Sequence, residues 1–175
     1  MNKIDKDDFW QWAYSDFLSN AQRGVLAEYI VGKALNCLKE NRVEWDAHDL
    51  VTQDGIKIEV KSAAYVQSWQ QERLSDLRFD IARKQSWFAE TNTFSDTLER
   101  PADVYVFCVL AEKERQKIDP LDLHQWLFIV LPAETINNKL GEQKSVGLVT
   151  LERIGAHQVG FAELAVEIKK ASGKH

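Results

Sequence analysis

The chain has little of what a protein without an ordinary apolar core relies on. Only two of its 175 residues are cysteine, Cys37 and Cys108, and they stand far apart with no CxxC pair. A disulfide framework and a structural zinc site are thereby disfavoured, and both thiols read as small core residues in a reducing compartment. Three prolines and eight glycines form no low-complexity tract, which argues against long disordered tails. Long apolar runs are missing: a stretch such as residues 104–111 falls far short of the roughly 18 residues that a membrane span needs. The acidic first residues, MNKIDKDDFWQWAYSDF, have no apolar heart of a signal peptide. The expectation is a cytoplasmic protein with no membrane partner.

A basic excess is absent too. The net charge is −5, which by itself speaks weakly against a polyanionic partner. The distribution is uneven, however: residues 57–84 carry six Lys/Arg against four Asp/Glu, and an acidic chain can bind a polyanion through a local patch or a bound cation. No glycine-rich phosphate loop occurs. The four histidines, His48, His124, His157 and His175, show no metal-ligand spacing, and Ser62 has no visible histidine–acid pair to activate it.

The length suits one domain, residues 1–175, with enough chain for a real core. Trp10, Tyr14 and Phe17 recur at helical spacing over residues 8–18, with Asp7 or Asp8 as cap, predicting a core-packing helix; a homodimer or partner-protein contact is the alternative. Residues 20–40 predict a second helix, capped by Asn20 and stopped at Asn41. Residues 43–52 and 56–61 predict two strands around a Gln53-Asp54-Gly55 turn, because Ile56, Ile58 and Val60 alternate with Lys57, Glu59 and Lys61. A strand near residues 78–82, a long loop over 90–100, buried strands at 103–110 and 126–131, a helix from Pro132 to Leu140, a strand over 145–154 and a closing helix over 161–170 complete the order. The fold class is mixed α/β.

The chemistry lies between Asp49 and Lys61. Glu59 and Lys61 are two apart on one strand and so share a face. If Gly55 closes a three-residue loop in the left-handed conformation, Thr52 faces Ile56 and Asp49 faces Glu59, with Cβ atoms roughly 5 Å apart. A two-residue turn would instead place Asp46 and His48 on the Glu59 side, making Asp46 the reserve carboxylate. Two facing carboxylates repel, and a hard divalent cation between them relieves the repulsion. A lysine alongside can hold water and steady phosphoryl charge. Such parts suit metal-assisted phosphodiester hydrolysis.

A strand Asp, nine residues, then Glu59-Val60-Lys61, preceded by a helix bearing Glu28 between Gly24 and Gly32, resembles the PD-(D/E)XK, or restriction-endonuclease-like, nuclease superfamily. His48 stands where many members have proline. The resemblance implies a central mixed sheet flanked by helices and DNA as substrate. It implies Mg²⁺ or Mn²⁺ held by Glu28, Asp49, Glu59 and the Val60 carbonyl, with Lys61 catalytic. Many members carry a glutamine shortly after this strand, for which Gln67, Gln70 and Gln71 are candidates. Arg73, Arg78, Arg83 and Lys84, interleaved with Trp69 and Trp87, are candidates for a DNA groove. The alternative is a non-catalytic module on the same fold that binds nucleic acid or protein, and Asp49, Glu59 and Lys61 are then a solvated sheet face.

Overall fold

The computed structural model describes residues 3–42, 48–88 and 93–174. Two helices come first, α1 (Lys6–Tyr14) and α2 (Asn20–Leu35). Strands β1 (Leu50–Val51), β2 (Lys57–Ala64), β3 (Arg78–Asp80), β4 (Lys84–Phe88), β5 (Thr93–Glu99), β6 (Val104–Leu110) and β7 (Trp126–Pro132) follow. Helix α3 (Ala133–Leu140), β8 (Ser145–Gly147), α4 (Leu148–Arg153), β9 (Gln158–Val159) and α5 (Phe161–Ser172) close the chain. The fold is mixed α and β. A five-stranded sheet runs β1-β2-β6-β7-β9, with β2 and β6 parallel and the other pairs antiparallel.

The expected central strand is present: every residue of β6 is buried. It is apolar on both faces because helices and loops cover both. Val104, Val106, Cys108 and Leu110 turn one way, with Ile58 and Val60, against Ala27, Ile30 and Val31 of α2 and Leu164 and Ile168 of α5. Tyr105, Phe107 and Val109 turn the other way, with Ala63, against Phe79, Ile81, Ile136 and Leu151. Gly32 brings α2 close to β1, since a Cβ there would collide with the Leu38 side chain and touch Leu50, whereas Gly24 has open space around it.

The Gln53-Asp54-Gly55 turn forms as the three-residue loop. Gly55 is left-handed at φ 74°. Thr52 N–H donates to the Ile56 carbonyl at 3.0 Å, and Leu50 pairs with Ile58. The strand expected over residues 43–52 is described only as Leu50–Val51, and residues 43–47, with the reserve carboxylate Asp46, lie outside the described residues.

Other expectations are corrected. The first helix is capped by Asp5, not Asp7 or Asp8, and none of its residues is buried. Its aromatic spacing is real, but Trp12 is 83% exposed. Helix α2 is capped by Ser19, and Asn36 in the left-handed conformation ends it before Asn41. Residues 93–99 are a strand, β5, paired with β4, where a loop was expected; residues 90–92 are outside the description. The strand expected over 145–154 is the short β8 followed by α4.

The β4–β5 hairpin is held at its root by Arg100. The buried guanidinium donates from Nε to the Ile81 carbonyl at 2.7 Å, from Nη1 to Asn137 Oδ1 at 2.7 Å, and from Nη2 to the carbonyls of Gly141 and Gln143. Among the described residues no helix is long and apolar enough to cross a membrane.

Phe107 is fully buried and meets Phe79 edge-on at 5.0 Å between ring centres. Phe107→Ala should cost about 3–5 kcal/mol in urea denaturation. Val149→Ala, on an exposed helix side, should stay within about 0.5 kcal/mol.

Candidate active site

Among the described residues, β1 pairs with β2 at Leu50 and Val51, and Asp49 N–H donates to the Ile58 carbonyl at 3.1 Å. The register places Asp49 across from Glu59. The next edge donor on β2, the N–H of Val60, is taken by the Asp49 side chain: it donates to Oδ2 at 2.7 Å. A strand residue's carbonyl projects to the same edge as its N–H. The Val60 carbonyl therefore opens toward the Asp49 side of the sheet.

Glu59 and Lys61 project from the opposite face to α2, beside Tyr105 and Phe107 of β6. Lys61 Nζ lies 2.5 Å from Glu59 Oε1, with both side chains largely covered. Burial alone would lower the Lys61 pKa, but Glu59, Asp49 and Asp80 outweigh it and the net shift is upward. Lys61 is an ammonium throughout the neutral range, so it donates and stabilises charge and does not act as a base in this state.

Asp49 shows the opposite strain. Burial, then repulsion from Glu59 and a smaller push from Glu28, raise its pKa to about 6 against the lowering by the Val60 N–H and Lys61. Glu28 and Asp49 line one cavity of about 240 Å³ with Val25, Tyr29, His48 and Leu50. The Glu28 carboxylate is gripped by Arg42, whose Nε and Nη2 donate at 2.6 and 2.8 Å. Asp49, Glu59, Lys61 and Val60 are thus gathered at one edge, and Glu28 is coupled to them through Asp49. Among the described residues no group of three or more His, Cys, Asp or Glu side chains is close enough to hold a metal ion. The carboxylates form an open, charge-paired arrangement and not a closed cage.

Tyr105 and Asp80 were not singled out in the sequence. Tyr105 is the Cα partner of Glu59 and is 3% exposed, and burial followed by Glu59 pushes its phenol pKa up. A polar-tipped ring inside the apolar run DVYVFCVL was the signal for it. Asp80 reaches the site only because β3 folds over the sheet, which no local pattern announces.

The candidate glutamines separate. Gln67 is 6% exposed, and its Nε2 donates to the Ala64 carbonyl at 2.8 Å and to Ser75 Oγ at 3.2 Å. Its Oε1 accepts from Arg23 Nη1 at 3.3 Å. Gln67 is therefore an internal strut between α2 and the segment after β2, not a surface contact. Arg23 is buried and, among the described residues, donates to neutral oxygens of Leu18, Asn20 and Gln67. Gln70 and Arg73 are exposed beside one another in a groove with Lys113 and Arg115. Arg78 is exposed and donates to Ser145 Oγ at 3.5 Å. Arg83 and Lys84 pair with Glu142 and Asp80, at 3.0 and 3.7 Å.

The family model described as bacteriophage T4 endonuclease IV matches residues 4–148, which include every candidate residue named above, and the chain belongs to that endonuclease family. No curated protein sequence matches it.

An acid with a raised pKa holds its proton more firmly folded than unfolded. Stability is therefore lost as pH rises from about 3.8, the ordinary value, through about 6. Asp49→Asn keeps an acceptor for the Val60 N–H and removes the charge. It should stabilise the fold at pH 7.5 by up to about 3 kcal/mol and lose that advantage near pH 3.5, as urea denaturation at the two pH values will show.

Proposed function

We propose that this member of the endonuclease IV family hydrolyses phosphodiester bonds of DNA at a PD-(D/E)XK-type site, with Mg²⁺ or Mn²⁺ as cofactor. The observation that carries the reading is the meeting of Asp49, just before β1, with Glu59 and Lys61 of β2, with the Val60 backbone between them. The donor set fits a hard cation. Mg²⁺ is commonly held by one or two carboxylates, with water and substrate phosphate completing the shell. Burial first and then repulsion from Glu59 shift Asp49 upward, a penalty that a divalent cation between the two carboxylates would relieve.

In this reading Asp49 and Glu59 hold the ion, with the Val60 carbonyl as a further ligand and Glu28 as an outer acid once Arg42 releases it. The ion supplies Lewis-acid stabilisation of phosphoryl charge. Lys61, kept cationic by its acidic surroundings, turns its N–H donors to a phosphoryl oxygen or the attacking water. The Val60 N–H fixes the Asp49 carboxylate, so the acid is positioned before substrate arrives. Tyr105 and Phe107 close the face beneath Glu59 and Lys61 and keep bulk water from that side. Gln70, Arg73 and Arg78 are the exposed candidates for holding DNA. The restriction-endonuclease-like core is part of the same proposal, supported by the helix, hairpin and parallel β2–β6 pair around the site.

A second reading is a binding module on the same fold that does not cut. The ion pair that occupies Glu28 favours it.

Cleavage of plasmid and oligonucleotide DNA with Mg²⁺ or Mn²⁺ decides between them. Asp49→Asn and Lys61→Ala should each lower the rate by about 10²–10³-fold, and Glu59→Gln should abolish Mn²⁺ uptake in calorimetry. Equal cleavage by wild type and both variants would reject these roles, and DNA binding with neither cutting nor metal uptake would favour the module.

A further inference from the structure

Strands β2 and β6 run parallel, so the segments that leave them emerge at the same end of the sheet. After β2 the chain folds into a compact loop. Ser75 N–H donates to the Tyr65 carbonyl at 2.9 Å and closes it. Gln71 fills its middle, accepting from Gln67 N–H at 2.6 Å and donating to the carbonyls of Tyr65 and Arg73 and to Ser75 Oγ. After β6, Arg115 clamps this loop from outside, donating to the carbonyls of Gln67, Ser68 and Trp69 at 2.8, 2.9 and 3.1 Å. The loop is therefore a built platform.

Between the two segments lies an open groove lined by Gln70, Arg73, Leu74, Lys113, Arg115 and the single acid Glu72. The acids next to it in sequence are engaged: Glu112 accepts from the N–H groups of Lys113 and Glu114, and Glu114 pairs with Lys117 at 2.7 Å. Lys113 Nζ stands 4.7 Å from the centre of the Tyr65 ring. Tyr65, just past the end of β2, packs against the cluster of Ala63, Tyr105 and Phe107 on the face that carries Glu59 and Lys61. The groove thus extends the face of the candidate active site.

The geometry points to this groove as a second anchor for the DNA backbone, with Arg73 and Lys113 on phosphates and Arg115 holding the platform rigid. This inference rests on the nuclease reading and deepens it, since it says which way the strand leaves the site.

The test is fluorescence anisotropy of labelled oligonucleotides, single-stranded and duplex, in EDTA, with circular dichroism of each variant. The Arg73→Gln/Lys113→Gln double variant should bind about tenfold or more weakly near 0.1 M salt, and its slope of log affinity against log salt should be shallower by about 2. Glu72→Gln should bind more tightly, and Lys169→Gln, on an exposed position of α5, should match wild type. Should the double variant lose its fold, an unchanged affinity for Glu72→Gln overturns the proposal and a tightened one supports it. Unchanged affinity and slope in a folded double variant overturn the groove, while cleavage that still depends on Asp49 leaves the nuclease reading intact. Failure of the wild type both to bind and to cut DNA overturns both.

Discussion

A single hydrogen bond organises the site: the Val60 N–H donates to the Asp49 carboxylate at 2.7 Å. Where β1 no longer pairs with β2, a backbone donor is left at the sheet edge, and leaving such a donor unpaired has a cost. The side chain of Asp49 supplies an acceptor for that donor. In doing so it is pulled against Glu59, next to Lys61 and within reach of Glu28. Edge pairing and the geometry of the candidate site are met by the same contact.

That contact holds an unfavourable charge in place. Asp49 is half-buried, faces a like charge, and has its pKa driven up to about 6. The sheet beneath supplies the compensation. The all-buried β6, packed between α2 and α5 on one side and Phe79, Ile81 and Ile136 on the other, provides apolar burial on both faces. Local conflict over a well-packed support is the usual arrangement at functional sites, where stability yields to chemistry.

Much of this was legible in the sequence where the signal is local. The Asp-Gly turn and strict alternation narrowed the hairpin to two registers, and the three-residue loop that places Asp49 across from Glu59 is the one that forms. The two-sided apolar run announced β6. What was missed depends on tertiary surroundings. Aromatics at helical spacing in α1 read as a core face, yet spacing does not say whether a partner surface exists. The polar sequence of β5 reads as loop because its strand character comes from pairing with β4. Gln67 looked available for a ligand, whereas its amide closes an internal network with Arg23 and Ser75 that residues distant in sequence create.

The anchoring of the β4–β5 arm has a consequence for how the chain can diverge. Arg100 binds both roots of the hairpin to α3 and its following turn, and the arm adds no strand to the five-stranded sheet. Insertions or deletions beyond that knot leave the sheet's register untouched. A change of length between β4 and β5 would therefore leave the main sheet's strand pairs in place, with the knot, an arginine answered by main-chain oxygens and one amide, as the fixed point.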